Sequence, residues 1–149
     1  VPVLQKLEKR FHFTFRVISD IDPKLPLEGF EFVPWRAESE IEDLAKINIG
    51  VMPLPNNRWT KGKCGFKALQ YMALGIPTIA SKVGVNPEII EHGVNGFLAN
   101  SPQEWLACLR QLYHESERSR FIGHAAAETV HKRYSVAANR DLYLNLFEL

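Results

Sequence analysis

Basic and glycine residues that could bind an anion lie close together in the stretch Lys61-Gly62-Lys63-Cys64-Gly65-Phe66-Lys67. Glycine has no Cβ atom, so it lets a ligand approach the backbone closely. A helix is expected from Gly65 onward, and its first turn offers free N–H groups and the positive end of the helix dipole. A diphosphate would suit this arrangement. A lysine-rich surface loop leading into a core helix would have the same sequence, and the residues alone leave both interpretations open.

The elements on either side would hold this basic stretch in place. The expected helix has one apolar face, made by Phe66, Leu69, Met72 and Ala73. A Gly-Ile-Pro break at 75–77 ends the helix, and a buried strand is predicted after it at 78–81.

Strands and helices alternate along the rest of the chain. Strands are predicted at residues 11–19, 30–35, 47–54, 78–81 and 97–99, the last at a sheet edge. Helices are predicted at 1–10, after Ser39, Gly65, Asn86 and Ser101, at 117–133, and after Ser135. The residues 56–60 read as a polar loop. This alternation predicts an α/β fold: a doubly wound, Rossmann-like parallel sheet with helices on both faces and further helices at the C-terminus.

Capping and packing patterns add detail to these helices. Two capping boxes are predicted, Ser39 with Glu42 and Ser101 with Glu104. Asn86 is expected to cap its helix and Gly93 to close it. The inward side chains are expected to be Ile41, Leu44 and Ala45 in the helix after Ser39, and Val136, Tyr143, Leu144 and Phe147 in the last helix.

In a doubly wound sheet, ligands bind beyond the carboxyl ends of the strands. The loops expected there are 34–38, 53–65 and 82–86, which contain the basic stretch together with Pro34 and Trp35. The Trp35 ring would either stack on a nucleobase or cover the core. Neither a dinucleotide-binding glycine fingerprint nor a P-loop follows any predicted strand.

Composition narrows the classes of function. The 149 residues carry a net charge of +1, which argues against a broad nucleic-acid surface. The two cysteines, Cys64 and Cys108, have neither metal-ligand spacing nor a disulfide framework, and no metal site is expected. We found no apolar run long enough for a bilayer span. A single cytoplasmic domain is the simplest expectation.

Three segments carry a resemblance to a known family. They are 65–81, the run Val-Gly-Val-Asn-Pro-Glu-Ile-Ile at 83–90, and the run His-Gly-Val-Asn-Gly-Phe-Leu at 92–98. Together they resemble the C-terminal domain of GT-B glycosyltransferases of the group 1 (family 4) retaining type, and the resemblance extends over residues 30–135.

The resemblance implies that residues 1–149 are the nucleotide-sugar-binding, Rossmann-like part of a two-domain glycosyltransferase. Such enzymes bind a nucleotide diphosphate sugar between their domains without a metal or other cofactor. An N-terminal domain would supply the acceptor site and much of the catalytic machinery, so the fragment alone is expected to be inactive. The first strand of the domain would also be missing. The full-length enzyme could associate peripherally with a membrane.

The resemblance also implies roles for individual residues. Members usually hold two glutamates eight positions apart, the first at the donor sugar and the second at the ribose hydroxyls; here Gly62 and Gln70 stand at those positions. The motif Lys63-Cys64-Gly65-Phe66-Lys67 matches one branch of the family. The predicted nucleotide-sugar-binding residues are Lys63, Gly65, Phe66, Lys67, Gln70, Pro34 and Trp35, and no catalytic residue is assigned.

Two other classes of function were weighed. The replacement of both glutamates is also compatible with a non-catalytic nucleotide- or phosphate-binding module. A response-regulator-like interaction domain would need aspartates clustered at strand ends, which Asp20 and Asp22 alone do not supply.

Overall fold

The computed structural model describes residues 1–147 of the chain. In that range the helices are α1 (Pro2–Glu8), α2 (Glu40–Ala45), α3 (Arg58–Lys61), α4 (Phe66–Ala73), α5 (Asn86–Ile89), α6 (Pro102–His114), α7 (Ser116–Arg133) and α8 (Val136–Asn145). The strands are β1 (Phe15–Ser19), β2 (Phe30–Pro34), β3 (Gly50–Met52), β4 (Thr78–Ser81) and β5 (Phe97–Ala99).

The strands are parallel and form two sheets. One sheet pairs β1 with β2, and the other has the order β3-β4-β5, with β5 at its edge as expected. The α/β, Rossmann-like class and the C-terminal helices are therefore confirmed, although the strands do not join into one continuous sheet. A cavity of about 480 Å³, lined by Arg16 of β1 and Val51 of β3, lies between the two sheets.

The core is organised around β4, which is buried along its whole length. Neighbouring residues of a strand point to opposite faces of the sheet, so Ile79 and Ala80 enter different apolar clusters. Ala80 packs with residues of α4, α5 and α7, whereas Ile79 packs with residues of β5, α6 and α7. Helices thus cover both faces of the β3-β4-β5 sheet, and the expected strand at 78–81 is confirmed.

Helix α7 approaches the end of α4 very closely. A Cβ atom added to Gly123 would lie 2.1 Å from the carbonyl oxygen of Gly75. Only glycine fits at position 123, and this contact holds α4 against the C-terminal helices.

Two predicted strands are shorter in the structure. The strand expected at 11–19 begins at Phe15, where pairing with Phe30 of β2 begins. Before it, the Phe11 ring packs on Tyr113 of α6, with ring centroids 4.9 Å apart. The strand expected at 47–54 is limited to Gly50–Met52.

Helix α2 differs from its prediction on both cap and face. Ser39 is the N-cap residue, but its side chain makes no capping hydrogen bond, so the predicted capping box is wrong. Ile41 is 58% exposed and Ala45 is also exposed, which leaves Leu44 as the buried residue of α2. Helix α2 has only six residues, and it lies on the surface with one inward side chain.

Three further details correct or confirm predictions made from the sequence. Helix α5 has Val85 as its N-cap and ends at Ile89, before Gly93; the Asn86 side chain donates instead to the carbonyl oxygen of Ser81. The capping box of Ser101 and Glu104 is confirmed. The side chains expected to point inward from the last helix are exposed, because α8 lies at the outside of α7. They are those of Val136, Tyr143, Leu144 and Phe147.

Candidate functional site

The carboxyl ends of the strands place three loops where the sequence predicted a ligand site. Strand β2 ends at Pro34, β3 at Met52 and β4 at Ser81. The backbone N–H of Leu54 donates to the Ser81 hydroxyl at 2.8 Å, which ties the loop after β3 to the end of β4. The predicted basic stretch follows in this loop.

The loop after β3 contains a one-turn helix that the sequence reading missed. Helix α3 is capped by Asn57, whose side chain accepts from the Thr60 backbone while the Thr60 hydroxyl accepts from the Asn57 backbone. The Asn-x-x-Thr spacing is a capping signal that could have predicted this helix. Its effect is to give the loop a fixed shape.

Gly65 determines how helix α4 begins. It is the N-cap residue with φ = 71°, in the left-handed region where glycine is favoured, and no side chain caps the helix there. A Cβ atom at Gly65 would lie 2.5 Å from Cδ1 of Ile89 and 3.2 Å from Oδ1 of Asn86. The loop after β3 therefore lies directly against the start of α5, and the first-turn amides of α4 have no side-chain acceptor at the cap.

The start of α4 is joined to the end of β2 by a carboxylate that the sequence did not indicate. Glu40, the first residue of α2, accepts hydrogen bonds on Oε1 from Nζ of Lys67 at 2.7 Å and from Nε1 of Trp35 at 3.0 Å. The Glu40 side chain is 20% exposed and that of Lys67 is 47% exposed. Trp35, Glu40 and Lys67 thus form one hydrogen-bonded group at the surface.

Glu40 is held in its charged form. The hydrogen bond from Lys67, and after it that from Trp35, lowers the pKa of the Glu40 carboxyl, with a smaller contribution from the side-chain amide of Gln70. The positive charge of Lys67 is therefore partly balanced within the protein.

Gln70 lies one helical turn after Lys67, on the same side of α4. Its Oε1 atom is shielded from solvent and has no hydrogen-bond partner within residues 1–147. A buried acceptor without a donor is unfavourable.

The structure brings Trp35 and Lys67 together around Glu40, with Pro34 next to Trp35 and Gln70 one helical turn after Lys67. Lys63 is exposed in the turn between α3 and α4. Phe66, predicted to face the core, is 60% exposed at the start of α4, so that part of the prediction is wrong. Trp35 is 42% exposed, so much of its ring faces solvent rather than the core.

The described residues offer neither a metal-binding cluster nor a membrane-spanning helix. Within residues 1–147, no three His, Cys, Asp or Glu side chains gather as a metal-binding group. None of the helices in that range has both the length and the apolar content that a membrane crossing requires.

Comparison with known proteins supplies relatives of this chain. A protein from Xenopus tropicalis, described as glycosyltransferase 1 domain-containing protein 1, is 33% identical over 128 residues, which are 85% of this chain and 36% of the relative. An N-acetyl-alpha-D-glucosaminyl L-malate synthase from Bacillus anthracis is 33% identical over 76 residues, which are 50% of this chain and 20% of that protein. The chain thus spans about a third or less of the length of these relatives.

Solved structures of similar fold include a group 1 glycosyl transferase and a protein in complex with UDP and glucose. The C-terminal domain of LpcC from Francisella tularensis, a group 1 glycosyl transferase, is 27% identical with a TM-score of 0.62, over 73% of this chain and 55% of that one. HepE from Anabaena, in complex with UDP and glucose, has a TM-score of 0.73 at 22% identity, over 99% of this chain and 44% of its own.

The family described as glycosyl transferases group 1 matches residues 2–115, which is most of the chain and includes every predicted site residue. The parallel sheets, the glycine-capped helix α4 and the matched segment agree with the resemblance found in the sequence. This chain belongs to the group 1 glycosyltransferase family.

Proposed function

We propose that this chain binds the nucleotide diphosphate sugar donor of a glycosyltransferase. The observation that carries the proposal is the group around Glu40, which joins the aromatic surface of Trp35 to the start of α4. A nucleotide presents a flat base, a ribose and a diphosphate in this order. The exposed indole would suit the base, the polar side chains of Glu40 and Gln70 the ribose, and the uncapped start of α4 the diphosphate.

The diphosphate would bind at the start of α4. Anions are favoured at a helix N-terminus, where amides point outward and the dipole is positive. Lys63 is exposed beside this end, and the Lys67 ammonium has three N–H donors, of which Glu40 uses one. The structure of HepE with UDP and glucose supports this ligand class for the fold.

The whole enzyme would transfer the sugar only with a second domain. Residues 1–149 cover 44% of HepE, and a donor held between two domains makes only part of its contacts with one of them. Each missing charged contact is worth about 1.5–3 kcal/mol, so two of them would shift a micromolar site toward millimolar affinity. We expect weak nucleotide binding and no sugar transfer from this chain alone. We also expect the donor to bind without a metal or other cofactor.

Nuclear magnetic resonance titration of residues 1–149 with UDP, GDP and ADP tests the proposal, because it detects millimolar binding. At least one of these nucleotides should shift the amide signals of Gly65 and Phe66. Lys67→Ala should weaken binding by about 1.5–3 kcal/mol, as expected for a charged hydrogen bond.

Lys132→Ala is the matched control, since Lys132 pairs with Glu128 on α7, outside the proposed site. It should leave the affinity unchanged. Equal affinities for wild type, Lys67→Ala and Lys132→Ala would remove Lys67 from the site, and the lack of any shift with all three nucleotides would refute the proposed function.

A non-catalytic binding module remains the second candidate, because Gly62 and Gln70 replace the glutamates that the resemblance leads one to expect. It would bind the same nucleotide. Assays of the full-length protein with UDP-, GDP- and ADP-sugars separate the two: release of the free nucleotide with an acceptor present favours the enzyme, and binding without turnover favours the module.

A further inference from the structure

We propose that Glu40 supplies the carboxylate that recognises the ribose diol of the bound nucleotide, while Lys67 and Trp35 hold this carboxylate in position. The inference rests on the proposed function and adds a residue to the same site. In sequence Glu40 is only the first residue of a short helix, 27 positions before Lys67.

The hydrogen bonds of Glu40 leave one of its oxygens for a ligand. Both Trp35 Nε1 and Lys67 Nζ donate to Oε1, and no hydrogen bond to Oε2 is found within residues 1–147. Two donors on one oxygen fix the rotamer of the carboxylate, which reduces the entropy lost on binding. A charged acceptor forms stronger hydrogen bonds with hydroxyl groups than a neutral amide does.

Gln70 offers a second polar side chain one helical turn after Lys67, on the same side of α4. Its Oε1 atom is shielded from solvent and has no partner within residues 1–147, so the side chain would have to turn outward to accept a hydrogen bond from a ligand. A ribose has two neighbouring hydroxyl groups, each of which can donate one hydrogen bond. Oε2 of Glu40 would accept from one of them, and the turned Gln70 side chain would accept from the other.

A simple ion pair between helices is the competing explanation. Partly exposed pairs contribute about 0–1 kcal/mol to stability, so the Glu40–Lys67 pair is a weak reason for this arrangement by itself. As a mere ion pair, Glu40 would compete with phosphate for Lys67, and its removal would strengthen nucleotide binding. As a ribose acceptor, its removal would weaken binding. The two explanations predict opposite signs.

The test compares a nucleoside diphosphate with its 2′,3′-dideoxy analogue. The base is the one that binds most tightly among UDP, GDP and ADP, and binding to residues 1–149 is followed by magnetic resonance titration. Glu40→Gln should weaken binding of the ribonucleotide roughly tenfold or more, as loss of a charged hydrogen bond implies. It should change binding of the dideoxy analogue by less than about twofold.

Two more variants complete the design. Glu42→Gln removes a charge from the same helix at an exposed position and should leave both affinities unchanged. Glu40→Asp keeps the charge but withdraws the carboxylate by one methylene, so it should also lose the preference for ribose. Circular dichroism shows whether each variant is folded, and Glu40→Asp carries the test if Glu40→Gln does not fold.

Several results would overturn the inference. They are tighter ribonucleotide binding by Glu40→Gln, equal losses for the two ligands, and wild-type protein that binds both ligands equally. In each of these cases the nucleotide still binds, so the proposed function stands. Failure of the wild-type protein to bind any nucleoside diphosphate overturns both.

Discussion

The backbone at Gly65 allows a sharp test of how the site is built. Its φ of 71° lies in the left-handed region, where a residue with a Cβ atom costs about 1–2 kcal/mol relative to the right-handed one. An added Cβ would also lie 2.5 Å from Cδ1 of Ile89, a buried side chain that would have to shift. We therefore expect Gly65→Ala to lower the free energy of unfolding by about 1–2 kcal/mol from the backbone alone, and by somewhat more with the contact.

Gly62, three residues earlier in the same basic stretch, provides the matched control. Its φ is −83°, a value open to any residue, and an added Cβ would lie 3.6 Å from the carbonyl oxygen of Trp59, an ordinary contact. Gly62→Ala should change the free energy of unfolding by less than about 0.5 kcal/mol, as surface substitutions do. The two variants change the same atoms, so their difference isolates the left-handed backbone and its surroundings.

Urea denaturation followed by circular dichroism measures both variants. A loss of 1–2 kcal/mol corresponds to a decrease in Tm of about 2–8 °C for a chain of this size. The Gly65→Ala variant should also bind nucleotide more weakly, because a shifted cap reorients the first-turn amides of α4. If Gly62→Ala and Gly65→Ala are equally stable, the positive φ at Gly65 is not a constraint and the reasoning fails.

Three other predictions concern the framework around the site. Gly123→Ala should destabilise the protein by about 1–3 kcal/mol despite the better helix propensity of alanine, since the new Cβ meets the carbonyl oxygen of Gly75; urea denaturation would contradict this if the variant were as stable as wild type. Ser101→Ala should cost about 0.5–2 kcal/mol through loss of the cap on α6, and an unchanged unfolding midpoint would refute that role. Hydrogen bonds from the backbone N–H groups of Ser101 and Asn100 lower the pKa of Glu104, so the charged carboxylate stabilises the fold above its ordinary pKa and loses this effect as the pH falls through the lowered pKa. The stability difference between wild type and Glu104→Gln should therefore shrink in acid, and a difference that stays constant with pH would argue against this role of Glu104.

The elements that the sequence predicted best depend on local signals. Strand β4 (Thr78–Ser81) lies between a Gly-Ile-Pro break and the charged Lys82, and its bounds are as predicted. The capping box of α6 involves two residues three positions apart, so nothing distant is needed to form it. Such features are fixed by backbone geometry and by neighbours in the chain.

The buried face of α4 shows where an apolar pattern misleads. The sequence favoured a face centred on Phe66, Leu69 and Met72, because these are the large apolar residues. The buried positions are instead Gly65, Ala68 and Met72, with Leu69 partly buried. Small residues are on the inward face because the loop before α5 and the core approach α4 closely, which a scale of hydrophobicity does not represent.

The sheet could not be divided correctly from the sequence either. Each strand was predicted by its own apolar residues, but pairing depends on which edges meet in space. Strands β1 and β3 each have a partner on one side, and the cavity between the two sheets is lined by both. Nothing in the local apolar pattern of β1 or β3 indicates that the edge facing the cavity is not paired with the other strand.

The ion pair with Glu40 accounts for a lysine at an otherwise unfavourable position. A lysine in the first turn of a helix is unfavourable to the dipole, so an anionic partner is expected for Lys67. Glu40 supplies such a partner from within the protein at 2.7 Å, so the position of Lys67 does not by itself require a phosphate. Lys67→Ala would remove a cation and also leave the Glu40 charge unbalanced beside the ligand. Its effect on nucleotide affinity is therefore the sum of a lost attraction and a new repulsion. Repeating Lys67→Ala in a Glu40→Gln background separates these two parts, and a smaller loss there would measure how much of the effect came from Glu40.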